Sequence, residues 1–277
     1  MHFTVVIPAR YASQRLPGKP LADLNGKPLI LYVCEQAQGS GASQVIVATD
    51  DERVRSACAA AGVDVQMTGT QHASGTDRLA EVAELRGWGD AEIIVNLQGD
   101  EPLVPPANIE QAAALLLAHE AASMSTLCTP IHELAELLNP NVVKVTADRE
   151  GLALYFSRAP IPWNRDGDVQ GRTNAAGGRG APQGAPEAAS VRFSAQQKFH
   201  GALRHIGIYG YRVGALKRLA AAPPCELEQL EKLEQLRALW LGMRIAVDVA
   251  REAPGPGVDT PEDLKRVAEL MRKRQHG

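Results

Sequence analysis

Short apolar runs alternate with amphipathic stretches through the first half of the chain. Phe3–Ile7 reads as a buried strand, and Pro28–Ala37 as a helix carrying Leu29, Leu31, Tyr32 and Val33. Gln44–Ala48 predicts a second strand, and the acidic turn Asp50–Asp51 starts a helix that runs to Ala60. Val63–Gln66 follows as strand, then a helix near Thr76–Arg86, then the strand Glu92–Asn96. Asn108–Ala118 predicts a helix, and Ser123–Thr129 and Asn141–Thr146 predict strands. Alternation at this spacing implies βαβ units, hence an α/β fold with a mostly parallel central sheet and helices on both faces.

The pattern changes beyond Ala159. Asp166–Ser190 holds a single apolar residue larger than Ala, Val169, so it cannot bury enough surface to order itself and reads as a mobile surface insertion. After it, Arg204–Tyr211 alternates like a strand. Glu226–Trp240 predicts one amphipathic helix with Leu227, Leu230, Leu233, Leu236 and Leu239 at three-residue steps. Arg244–Val249 predicts a strand, and Pro261–Arg272 a final helix with Thr260 as its N-cap. We expect one large domain over residues 1–277, with residues 166–195 inserted within it.

A net charge of -3 supplies no global basic field for nucleic acid, and aromatics at 4% are too sparse for a platform that stacks bases. No apolar run approaches the roughly 18–20 residues that span a bilayer, and no charged and apolar leader precedes the first strand. Cys34, Cys58, Cys128 and Cys225 are widely spaced, with no C-x-x-C pair. That spacing fits buried thiols better than a disulfide or zinc framework, and the expected compartment is the reducing cytoplasm.

The cations are concentrated locally. The first strand empties into a Pro/Gly-punctuated loop with Arg10, Arg15 and Lys19, and no acidic residue appears before Asp23. A loop of that kind at the carboxyl end of a parallel strand can hold a polyphosphate; the alternative is a solvated basic loop. Asp100 follows Gly99 directly beyond the strand Glu92–Asn96, which suits Mg²⁺ held against a nucleotide phosphate, although by itself the motif reads more simply as a turn capped by Asp. Capping accounts for Thr260 and Pro261 but leaves Asp259 free to be a second metal carboxylate. Ser74, Gly75 and Thr76 offer donors for a base or ribose ahead of Arg78, or else form a helix cap with a surface Arg. His205 reads most simply as a satisfied core residue, and Glu228, Glu231 and Glu234 as a solvated helix face.

These segments also carry a resemblance. IPARYASQRLPGKPL resembles the nucleotide-binding signature of the sugar-activating cytidylyltransferases. NLQGDEP, YFSRAPIPW, RHIGIYGYR, LEQLEKLEQLRALW and PGPGVDTPEDL resemble the branch that activates 3-deoxy-D-manno-octulosonate (Kdo). The likeness runs from residue 3 to about 271, broken by the insertion, which is longer and poorer in apolar residues than the family pattern. The resemblance implies a three-layer α/β/α nucleotidyltransferase fold with a smaller dimerisation or lid sub-domain, a homodimer, and Mg²⁺. It implies synthesis of CMP-Kdo and pyrophosphate from CTP and Kdo, for the lipopolysaccharide inner core. By position it implies Arg10, Arg15 and Lys19 on the CTP phosphates with Ser13 nearby, and Ser74, Gly75 and Thr76 near the cytidine. Asp100 and Asp259 become the metal ligands, with Lys19, Arg15 and the two carboxylates forming the catalytic set. Arg78, Gln98, His205, Tyr209, Glu228 and Glu231 surround the Kdo.

Overall fold

The computed structural model describes residues 1–12, 15–72, 74–164 and 201–275. Ser13 and the 166–195 insertion lie outside the described residues. Parallel strands β1 (Thr4–Pro8), β4 (Gln44–Thr49), β5 (Asp64–Met67) and β6 (Ile93–Asn96) form one half of the central sheet. The other half holds β7 (Met124–Pro130) and β11 (Ile245–Val249), parallel to each other, and β10 (Leu203–Arg212), antiparallel to both β6 and β7. Among the described residues the order is β11-β7-β10-β6-β1-β4-β5, with the hairpin β8 (Lys144–Ala147) and β9 (Ala153–Ser157) joined through β10. A small ribbon, β2 (Asp23–Leu24) and β3 (Lys27–Pro28), stands apart from it.

Period-two alternation along the strands feeds two separate cores. Val5 and Ile7 of β1 pack with α1 (Leu29–Gln38), α2 (Glu52–Ala60) and α4 (Pro106–Ala118) on one face. Val6 points the other way, into a core with α3 (Gly75–Leu85), α6 (Val213–Ala221) and α8 (Gln235–Trp240). Burial on both faces is why these strands read as continuous apolar runs, and it makes three layers, α/β/α. A smaller cluster seats α9 (Pro261–Gln275) through Val267 against Leu24, Leu29, Leu103 and Val258.

The predicted strands fall where the apolar pattern puts them, within a residue or two, except β8, which begins three residues later than expected. The long helix does not. Glu226–Trp240 is two helices, α7 (Glu226–Glu231) and α8, broken at Lys232, whose φ is +54°. Leucines at three-residue steps drift around a 3.6-residue helix, and one straight rod could not bury them all. The break buries Leu233 and Leu236 and leaves Leu230 72% exposed. Strand β9, helix α6 and the short helix α5 (Leu134–Leu138) are additional to the expected elements.

Candidate active site

Strand β1 has β4 on one side and β6 on the other, so the chain reverses its direction of winding at β1. The crevice at the carboxyl ends of such strands is where open α/β sheets bind ligands. A cavity of about 520 Å³ opens there, lined by Arg10, Arg15, Lys19 and Pro20 from the loop after β1. Gln98, Gly99 and Asp100 after β6, Gly75 and Arg78 of α3, and Asp259 complete the wall. Gly99 is required by proximity: a β-carbon there would stand 2.9 Å from the Pro8 carbonyl oxygen.

Lys19 is the hub. It opens a one-turn 3₁₀ helix behind Gly18, and its ammonium donates to Asp100 Oδ2 (2.6 Å), Asp259 Oδ1 (2.9 Å) and the Val258 carbonyl (3.0 Å). Three donors meet three acceptors. Burial alone would lower the Lys19 pKa, but Asp100 and then Asp259 outweigh it and hold the ammonium above its ordinary value. Arg15 donates to the same Asp259 oxygen at 3.0 Å. Arg10 reaches the His72 carbonyl at 3.5 Å. Burial, with the charges of Asp100 and Asp259, pushes the neighbouring Glu101 carboxyl up to about 7.

Asp259 arrives on a strap from β11. Asn108, buried on α4, pairs both ends of its amide with the Glu252 backbone, and the Gly255 N–H donates to the Leu103 carbonyl. The Val258 N–H then donates to the Asp100 carbonyl at 2.9 Å, which sets the two carboxylates side by side. Asp263, besides capping α9 with Thr260, accepts from the Asp259 N–H at 3.2 Å. Two carboxylates and a carbonyl converging on one cation are an all-oxygen donor set, which fits a hard ion such as Mg²⁺ better than a soft one. Among the described residues no three His, Cys, Asp or Glu side chains gather as a metal cage.

Ser74 caps α3 in a reciprocal box with Asp77, and Thr76 is buried with its hydroxyl donating to Glu234 at 2.6 Å. Gly75 alone of the three lines the cavity. Arg78 is not the surface residue that a simple cap predicts. It is 0% exposed, donating to Asp50 at 2.8 Å and to Thr68, and it still lines the cavity. Sequence could not pair it with Asp50, which lies 28 residues away at the end of another strand.

His205 is half-buried, its Nε2 against the Thr126 hydroxyl at 2.9 Å and its ring edge-on to Phe156. Tyr209 lies 5.2 Å away, ring to ring, and stands opposite Asn96 in the ladder, two residues ahead of Gln98. Burial pushes the His205 imidazole down to about 3, so it is neutral in the folded state. The unfolded chain takes up that proton below about 6.5. Stability is therefore full above 6.5 and falls as pH drops from 6.5 toward 3. Urea unfolding across that window should show a steeper loss for the wild type than for His205→Asn; equal slopes would mean that the imidazole titrates in the folded protein.

The glutamates of α7 and α8 are not a solvated face. Glu228 forms a fork with Arg237 (2.7 and 2.8 Å), and Glu231 accepts from the Ser157 hydroxyl (2.6 Å) and the Arg158 N–H (2.9 Å). Both carboxylates are occupied by the protein itself, and neither lines the cavity described above. Glu234 is the residue that motif reading passed over. Burial raises its pKa, opposed by hydroxyls of Thr76 and Ser74, and it ties α8 to the start of α3. Its spacing with Glu228 and Glu231 on adjacent turns reads as a solvated face, and the contact with Thr76, 158 residues away, leaves no local signal.

A family model for cytidylyltransferases matches residues 4–245. A structure of CMP:2-keto-3-deoxy-manno-octonic acid synthetase complexed with CTP is 40% identical, covering 99% of this chain and 99% of its own, with a TM-score of 0.81. A cytidylyltransferase from Leptospira borgpetersenii serovar Hardjo-bovis (strain JB197) is 14% identical, covers 98% of this chain and 87% of its own, and shares the fold at a TM-score of 0.58. The family-model match over residues 4–245 and the 40% identity over 99% of both chains show that this chain belongs to the cytidylyltransferase family.

Proposed function

We propose that the protein transfers CMP from CTP to the 2-hydroxyl of Kdo, giving CMP-Kdo and pyrophosphate. The observation that carries this is the cavity lining: Arg10, Arg15, Lys19 and Arg78 against two carboxylates, Asp100 and Asp259. Four cations and two acids make a site for a polyanion that brings a counter-ion of its own. The 40% identity over nearly the whole chain to a CTP-bound synthetase of this sugar acid supports the choice of both substrates.

The Kdo hydroxyl attacks the α-phosphorus of CTP, the bond to the β-phosphate oxygen breaks, and the hydroxyl proton is released. Such transfers depend on alignment and charge neutralisation more than on covalent help from the protein. Arg15 and Lys19 grip the triphosphate and stabilise the pyrophosphate as it leaves. Asp100 and Asp259 would hold Mg²⁺, which, when bound, polarises the phosphate and lowers the pKa of the attacking hydroxyl. Arg78 and Gln98, which line the cavity, and His205 and Tyr209 on β10 are the residues proposed to meet the sugar acid. A homodimer in the cytoplasm, feeding the lipopolysaccharide inner core, belongs to the same proposal. Four buried free thiols support the reducing compartment, and among the described residues no helix is long and apolar enough to cross a membrane.

Pyrophosphate release from CTP and Mg²⁺ with Kdo, abolished by EDTA, is the expected result. Release with a sialic acid in place of Kdo would keep the site and overturn the acceptor, and no release with either would overturn the reaction. Lys19→Ala should lower kcat/KM for CTP by about 10- to 100-fold, the worth of a charge-assisted hydrogen bond to phosphate. Unchanged KM for CTP and unchanged kcat would remove Lys19 from the phosphate grip.

A further inference from the structure

The loop that carries the phosphate-facing cations is braced from outside the cavity. Its arms are joined where the Gly18 N–H donates to the Tyr11 carbonyl at 3.2 Å. The Tyr11 side chain folds back over Gly18, which sits at φ +69°; a β-carbon there would stand 3.0 Å from the phenol oxygen and 3.1 Å from Cζ. Over the same ring lies the Arg53 guanidinium, its central carbon 3.4 Å from the ring centroid. Arg53 belongs to the first turn of α2, and Asp51 orients it through a fork, Nε to Oδ1 at 3.0 Å and Nη2 to Oδ2 at 2.6 Å. Its side chain is 60% exposed and is not part of the cavity wall. Neither core packing nor ligand contact accounts for so well-oriented a guanidinium.

We propose that Arg53 is a positioning residue for the CTP-phosphate loop, acting through the Tyr11 ring. Asp51 fixes the guanidinium, the guanidinium fixes the ring, and the ring holds Gly18 and the adjoining Lys19 against the cavity. This rests on the assignment of that loop to the CTP phosphates. A loop that is only partly in its binding geometry lowers apparent affinity by the fraction that is competent, so loosening the brace weakens CTP without altering the chemistry of the bound complex. An exposed cation–π contact is worth about a 2- to 5-fold change in affinity.

Calorimetric titration of CTP into the full-length protein, wild type and Arg53→Ala, tests this alongside a double-mutant cycle with Tyr11→Leu. The expected result is about 2- to 5-fold weaker CTP for Arg53→Ala, no further loss when Tyr11→Leu is already present, and kcat at saturating CTP unchanged. Arg53→Lys keeps the charge and loses the fork to Asp51, and should show part of the loss. Wild-type affinity in Arg53→Ala would overturn the inference, as would an equal loss in the Tyr11→Leu background, which would mark Arg53 as a distant attracting charge. If the wild type takes up no CTP, the assignment of the loop falls and the inference with it; if the wild type binds and Arg53→Ala binds equally, the inference alone falls.

Discussion

Asp100→Asn is expected to lower kcat by at least about 10²-fold, the usual effect of removing a principal electrostatic stabiliser. The carboxylate stands at the carboxyl end of β6, 2.6 Å from the Lys19 ammonium, backed by a glycine that lets the chain pass close under β1. An amide there keeps the shape and one acceptor but removes the charge that balances Lys19 and that would hold a divalent ion beside Asp259. The side chain is partly exposed, so the fold should tolerate the change and the loss should be one of turnover. Pyrophosphate release at saturating CTP, Kdo and Mg²⁺ measures it. Turnover within a few-fold of wild type would place the chemistry elsewhere.

Asp50→Ala should instead cost about 3–5 kcal/mol of stability, because it strands the fully buried Arg78 guanidinium without a counter-charge. Thr68 is its other hydrogen-bond partner, Arg78 Nε has none among the described residues, and the Glu81 carboxylate, which feels the guanidinium's charge, is already engaged by His72 and the Gly69 N–H. Urea unfolding gives the number. Combining Asp50→Ala with Arg78→Met should restore most of the loss, since the cost is that of an unpaired buried ion rather than of missing volume. A loss below about 1 kcal/mol for Asp50→Ala alone would mean that water reaches the guanidinium through the cavity.

The contrast between these two residues shows what the sequence could carry. Asp100 could be raised as a candidate from sequence because its signal is local, a strand, a glycine and a carboxylate in succession, and it lies on the cavity wall. The strands β1, β4 and β6 were legible for the same reason, since burial on both faces leaves unbroken apolar runs. Arg78 belongs to a contact between distant segments, and its sequence neighbourhood is that of an ordinary cap. The α7–α8 break was hidden because Lys232 adopts a left-handed turn with no glycine or proline to announce it. Helix α6 was hidden because β10 runs into it through Arg212, whose side chain makes no capping bond. Glu228 and Glu231 show the limit of transfer by position. A motif fixes where a residue falls in the chain, while its partners, here Arg237, Ser157 and Arg158, fix what its carboxylate is free to do.

The strap that delivers Asp259 also has a consequence for the order in which the protein is made. Every strand of the sheet among the described residues, ending with β11 at Val249, leaves the ribosome before Asp259 does. The Lys19–Asp100 pair can therefore close while the chain is still being synthesised, but the Lys19–Asp259 contact spans 240 residues and must wait for the strap. A nascent chain holds the phosphate loop and one carboxylate without the second. A closure of very long sequence separation thus completes the site, and the docking of α9 on Leu24 and Leu29 follows it, so an unfinished chain with a nearly finished sheet has no complete centre with which to act on its nucleotide.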